Sequence, residues 1–504
     1  MKIRKNLATL FSVLLCVSAF ASCSAKTAGN YYTIDGALGY VTQDMLAEEY
    51  TEITENPFIK ASVQPSSYFS IDANTASYPN LRSLINRGTK EIPKDAVRVE
   101  EMLNYFDYDY KTPTGDDILA LTTSMFDTPY NSETKFLTIG LAAKEVEFKE
   151  QSNNLVFLID VSGSMSSEDK LPLVQSSFSL LAENLNDTDR VSIVTYAGED
   201  SVVLDGAYGY EKKKIVGAIE DLNAGGSTAG SKGIQTAYKL AKKHFIDGGN
   251  NRVILATDGD FNVGLTVLQD LETFINNKRE TGVYFSVFGF GRGNIKSDKM
   301  ETLALNGNGT YSYIDSLTEA RRALVANIGG TMLTVAKDVK AGVVFNPDYI
   351  DSYRLIGYEN KLLSEEEFKN NETDAGELGS GHTVTVVYEI KLADPNIQMA
   401  AEGDNLAQVT IKYKPTENSG GASETSKESL LDIKTSAYHS VPTTQDAFIA
   451  SVVEFALILR NSEYKGDASL AILIDRLNAL DLSADEFKVE FRELVKTYYN
   501  TLNA

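Results

Sequence analysis

The stretch Asn154-Leu155-Val156-Phe157-Leu158-Ile159-Asp160-Val161-Ser162-Gly163-Ser164 runs five unbroken apolar residues into a carboxylate and two hydroxyls. A half-exposed strand alternates apolar and polar residues, so an uninterrupted run predicts a strand covered on both faces. A second buried strand is expected at 252–257, where Val253-Ile254-Leu255-Ala256 are apolar and Thr257-Asp258-Gly259-Asp260 follow. Outward from these two runs, strand and helix patterns alternate. A helix with Pro172 in its first turn follows Asp160. Then come a strand at 191–196, helices at 213–222 and 231–245, a helix at 267–278 and a strand at 283–290. A helix at 298–305, a strand at 309–314 and a helix from Leu317 complete the series. This alternation over 153–332 predicts an α/β fold with a doubly wound, mostly parallel sheet.

The flanks differ. Helices are expected at 76–86 and 97–106, and alternating strands at 118–125 and 136–148. Strand patterns return at 333–339, 343–345, 353–355, 383–390 and 407–413, with an acidic helix at 364–370 and a loop at 415–429. Strands of one style on both sides of the α/β unit predict a β-sandwich interrupted by it, with halves at 58–152 and 333–435. From 443 to 504 the chain turns helical, with Phe448, Val452, Phe455, Ala456 and Leu459 on one face.

At the N-terminus, Lys2, Arg4 and Lys5 precede an apolar stretch, 7–21, that ends in Phe20-Ala21-Ser22-Cys23. The segment resembles a lipoprotein signal, 1–22, with Phe20 where Leu is usual. The resemblance implies that Cys23 carries lipid and that 23–57 is a flexible tether; the alternative is an ordinary secretory signal. The lipid-anchored reading places the protein outside the cytoplasm, in the cell envelope, attached to the membrane by its lipid. Cys16 would leave with the leader, so the mature fold has no disulfide. The 504 residues hold 70 acidic and 47 basic side chains, a net charge of −23. That field repels phosphate backbones, which argues against nucleic-acid binding, and favours divalent cations.

Loops at the carboxyl ends of strands in a doubly wound sheet converge on one crevice. Three segments meet this condition: Asp160-Val161-Ser162-Gly163-Ser164, the loop Gly225-Gly226-Ser227-Thr228-Ala229-Gly230, and Thr257-Asp258-Gly259-Asp260. Together they bring two carboxylates and three hydroxyls to one place. Oxygen donors without His or Cys select a hard cation, Mg²⁺ first, with Mn²⁺ or Ca²⁺ as alternatives. Asp260 and Asn262 either support this loop or form a plain turn. His244, His382 and His439 are scattered, which speaks against a zinc site. The run Tyr105-Phe106-Asp107-Tyr108-Asp109-Tyr110 reads as packing between domains or as a binding edge.

With order, spacing and placement taken together, 154–332 resembles von Willebrand factor A domains, whose metal-ion-dependent adhesion site has this three-loop pattern. The resemblance implies Ser162, Ser164 and Thr228 as hydroxyl ligands, and Asp160 and Asp258 as ligands bound directly or through water. Phe69-Ser70-Ile71-Asp72-Ala73-Asn74-Thr75-Ala76-Ser77-Tyr78 and Glu100-Glu101-Met102-Leu103-Asn104-Tyr105-Phe106 resemble the N-terminal part of a family of bacterial lipoproteins carrying this domain. Leu355-Ile356-Gly357-Tyr358-Glu359-Asn360 and Leu459-Arg460-Asn461-Ser462-Glu463-Tyr464-Lys465-Gly466 resemble its C-terminal part. The function expected is capture of a protein ligand whose Asp or Glu carboxylate completes the metal shell. A structural scaffold of the envelope, with the metal only tying loops, is the alternative. A metal-assisted hydrolase is less favoured, because no nucleophile with a base accompanies the cluster.

Overall fold

Apolar runs long enough to be covered on both faces sit at the centre of the α/β unit. The computed structural model describes residues 50–148, 151–197, 199–226, 230–259, 265–292, 297–394, 403–423 and 425–504. The expected leader (1–22), Cys23, Thr228, Asp260 and Asn262 lie outside the described residues. The sheet of the α/β unit has six strands: β1 (Asn153–Asp160), β2 (Arg190–Ala197), β3 (Glu199–Tyr208), β4 (Asn250–Thr257), β5 (Val283–Phe290) and β6 (Tyr311–Ile314). Their spatial order is β6-β5-β4-β1-β2-β3, parallel throughout except for the antiparallel β2/β3 pair. Every residue of β1 and of β4 is buried. Helices cover both faces: Phe157 and Ile159 meet Phe178 and Leu181, and Val156 and Leu158 meet Ile234 and Ala237. Each such side chain contributes about 1.5–3 kcal/mol over leaving it in water.

The chain runs from β1 to β2 on one side and places β4 on the other. The order therefore reverses between β1 and β4, where a doubly wound sheet opens its crevice. Strand β3 departs from the sequence expectation, which had no strand between 196 and 213. Its pairing with β2 shifts register twice, and this irregularity breaks the two-residue alternation that would have revealed it.

The flanks form two antiparallel sheets packed face to face. One runs Ile59–Lys60, Ile350–Ile356, Thr383–Leu392, Lys135–Ala143, Leu119–Asp127. The other runs Gly376–Gly379, Thr334–Phe345, Asn405–Pro415, Lys427–Lys434, with Ser66–Ser70 also on Thr334–Phe345. Strands from before and after the α/β unit pair directly, as in Val384 opposite Leu141 and Val386 opposite Ile139. Phe69, Met125, Leu137, Val343, Tyr388 and Val409 share their core.

Three expectations are corrected here. Residues 333–339 and 343–345 are one strand, Thr334–Phe345, bent where Asp338 adopts φ 53° and the register slips. Strand Lys427–Lys434 begins inside the expected loop. It is an edge strand with one buried residue, Ile433, so its pattern is mostly polar. Residues 50–57 carry no regular structure yet are docked: Asn56 Nδ2 donates to the Leu355 and Gly357 carbonyls, and the Ile53 amide to Asp95.

Helices Thr444–Arg460, Leu470–Ala479 and Glu486–Asn503 do not form a separate body. They share a core with the helices Ser77–Asn86 and Val99–Asn104, where Phe491 meets Phe106, Phe448 and Phe455 edge-on. The aromatic run after Tyr105 is packing: Tyr105, Phe106, Tyr108 and Tyr110 are all buried. The α/β unit is fastened to this core by Arg82, which chelates Asp315 at 2.5 and 2.9 Å. Arg82 also reaches Glu319 and Glu490, each at 2.9 Å. Among the described residues no helix is long and apolar enough to cross a membrane.

Candidate metal centre

Ile159 of β1 stands opposite Ala256 of β4, so the carboxylates that follow, Asp160 and Asp258, leave the sheet at one end and at its switch point. Both are buried, at 0% and 2% exposure. After Asp160 the chain tightens into a turn, Gly163–Ser166, held from below by fully buried Met165. The Ser162 amide donates to Asp160 Oδ1 at 2.8 Å, and the Ser162 and Ser164 hydroxyls lie 3.0 Å apart. Ser162 is buried and Ser164 exposed, so the hydroxyl pair spans the wall and mouth of the crevice.

The second loop is laced to the first. The Gly225 amide donates to the Val161 carbonyl at 2.7 Å, and the Gly163 amide to the Gly226 carbonyl at 3.2 Å. Gly226 sits at φ 92°, and a Cβ there would lie 2.9 Å from the Ala197 carbonyl oxygen. Glycine is required on both counts. Thr228 follows two residues later, outside the described residues. The third loop turns at Gly259, φ 87°, whose amide donates to the Thr257 hydroxyl.

Burial pushes the Asp160 carboxyl up to about 6, and the Asp258 charge adds to this against the lowering effect of the Ser162 hydrogen bonds. Asp160 Oδ2 is enclosed and accepts no hydrogen bond of standard geometry among the described residues. The Tyr196 hydroxyl, buried beside Asp160 and Thr257, partly relieves it. Two buried carboxylates of like charge, one with an enclosed oxygen only partly relieved by Tyr196, beside two adjacent hydroxyls, have the donor chemistry that a hard divalent cation satisfies. The residues fit such an ion.

Sequence reasoning missed two participants. Tyr196, at the end of β2, reads only as a core aromatic. Lys170 reads as a loop residue before a helix, yet it is 8% exposed and its Nζ donates to Asp258 Oδ2 at 2.8 Å. Nothing in the local sequence announces this, because its stem is seated by Gly291, far along the chain. The histidines are engaged elsewhere: His244 pairs with Asp205, His382 is interior with its ring held neutral by burial, and His439 follows strand Lys427–Lys434.

Residues 154–326 match the sequence model of the von Willebrand factor type A domain, and 44–138 match one described as von Willebrand factor. Residues 330–500 match one described as uncharacterized protein YfbK, C-terminal. The chain is 38% identical over 442 residues to uncharacterized protein YfbK of Escherichia coli (strain K12), covering 83% of this chain and 75% of that protein. It is 27% identical over 211 residues to uncharacterized protein sll0103 of Synechocystis sp., covering 40% and 47% respectively. Among solved structures it is similar to a von Willebrand factor type A protein from Catenulispora acidiphila, with 16% identity and TM-score 0.40 over 72% of this chain and 81% of that one. With a von Willebrand factor type A domain followed by the family's C-terminal region, and an alignment that spans 75% of the E. coli protein, the chain belongs to the YfbK family.

Proposed function

We propose that this protein is a binding protein of the cell envelope, tethered by lipid on Cys23, which captures a partner's Asp or Glu carboxylate at the crevice above β1 and β4. Asp160, Ser162, Ser164, Thr228 and Asp258 would hold a divalent cation there, Mg²⁺ first and Mn²⁺ or Ca²⁺ as alternatives. The ion would supply the positive charge that receives the incoming carboxylate. The observation that carries the reading is buried Asp160, with Oδ2 lacking a standard partner and Asp258 close enough to repel it. Around it the chain positions rather than reacts. The Ser162 amide fixes the Asp160 rotamer, Met165 anchors the turn, and the two interloop hydrogen bonds set the spacing of the first and second loops. Neither serine hydroxyl is paired with a histidine base, and for this reason we place the activity in recognition and not in hydrolysis.

Calorimetric titration of Mg²⁺ into the full chain tests the proposal. Stoichiometric uptake is expected in the wild type and its loss in Asp160→Ala, with unchanged far-UV circular dichroism. Undiminished uptake by that variant refutes the site.

A further inference from the structure

Lys170 is the feature of the crevice that the adhesion reading leaves unexplained. Its ammonium lies 2.8 Å from Asp258 Oδ2, with side-chain exposures of 10% and 0%. The contact is built rather than casual. Lys170 is fixed at the start of helix Leu171–Glu183, its amide donating to the Ser167 carbonyl and its carbonyl accepting from Val174. Its stem lies against Gly291, at φ 77°, where a Cβ would come within 2.3 Å of Lys170 Cγ. The Gly291 carbonyl is itself held by the buried Tyr313 hydroxyl at 2.9 Å.

We propose that Lys170 is the charge-setting residue of the crevice: an internal cation that weakens divalent-metal binding in exchange for making the loaded site demand an anionic ligand. The inference rests on the metal reading above. Asp160 and Asp258 carry two negative charges and the hydroxyls none. A divalent ion would bring that set to neutrality, and an incoming carboxylate would then leave it negative. With Lys170 included, the loaded crevice keeps one positive charge, and a single carboxylate neutralises it. The partner chemistry this selects is an acidic side chain or a chain-terminal carboxylate, and not a neutral amide or hydroxyl.

The test is Mg²⁺ calorimetry on the full chain as wild type, Lys170→Met and Lys170→Arg, followed by titration of the Mg²⁺-loaded proteins with acetate as the carboxylate probe. A charge at contact distance changes a carboxylate's affinity for a cation by roughly tenfold or more. Lys170→Met should therefore bind Mg²⁺ at least about tenfold more tightly and acetate more weakly by a similar factor. Lys170→Arg should stay near wild type. Should the Met variant fail to fold, Lys170→Gln, which keeps a donor for Asp258, gives the same two readings. Magnesium affinity that is unchanged or weaker without the ammonium overturns the role of Lys170 and leaves the metal reading standing. Absence of Mg²⁺ uptake in the wild type and in every variant overturns both.

Discussion

Replacing Asp160 by Asn removes a charge that burial in this fold disfavours. Burial, with Asp258 adding to it, holds the carboxyl at about 6 against an ordinary value of 3.8. At about 1.4 kcal/mol per tenfold change in proton affinity, ionised Asp160 costs metal-free protein about 3 kcal/mol at neutral pH. The sign follows from the folded value lying above the unfolded one. The penalty is absent below about 3.8, grows as pH rises, and is complete above about 6. An Asn carbonyl still accepts from the Ser162 amide, though as a neutral acceptor it returns about 1 kcal/mol. Asp160→Asn should therefore be about 2 kcal/mol more stable than wild type in EDTA at neutral pH, and the gap should close on acidification. Urea denaturation in EDTA over a pH series from about 4 to about 8 measures this, and the wild-type-minus-variant difference cancels other titrating groups. Magnesium should then stabilise the wild type and leave the variant unmoved. A variant less stable than wild type in EDTA at neutral pH, or a gap indifferent to pH, refutes the reasoning.

Two further outcomes are expected. Arg82→Met leaves Asp315 without its cation in the interior, while Glu319 keeps Arg322, and should cost about 3–5 kcal/mol in denaturation experiments, because an uncompensated buried carboxylate is far worse than none; a loss under about 1 kcal/mol would show that the clamp is idle. Gly226→Ala must accept a left-handed residue and a close contact with Ala197, about 1–2 kcal/mol of local strain. Mg²⁺ uptake should drop while the unfolding midpoint moves little, and normal uptake would mean that the second loop does not shape the crevice.

The parts of this molecule legible in sequence are those whose signal is local. Leu155 to Ile159 and 252–257 announce buried strands by themselves, and the carboxylates that follow them fall at a shared strand end by simple topology. Phe448, Val452 and Phe455 reveal an apolar helical face for the same reason, although the helix is enclosed on nearly all sides. What stayed hidden depends on partners far along the chain. Strand β3 is defined by its irregular register with β2 and carries exposed Val202 and Val203. Lys170 looks like a solvated loop cation until Gly291 comes to meet its stem. Arg82 finds Asp315 and Glu319 across more than two hundred residues, a pairing that no window of sequence displays. The carboxyl-terminal helices read only as a helical region with an apolar face, whereas Phe491 and Val495 complete a core begun by Tyr78 and Leu81.

The interrupted sandwich imposes an order of assembly on a newly made polypeptide. All six strands of the α/β unit arrive within one contiguous span, so that unit can condense as soon as it emerges. The strand Lys135–Ala143 must wait for Thr383–Leu392, as the Tyr110–Thr385 hydrogen bond spans 275 positions and that between Tyr498 and the Lys90 carbonyl spans 408. Until Lys427–Lys434 is synthesised, an incomplete sandwich stands with its apolar face and strand edges open to self-association. Shielding until that strand arrives thus becomes a requirement written into the topology itself.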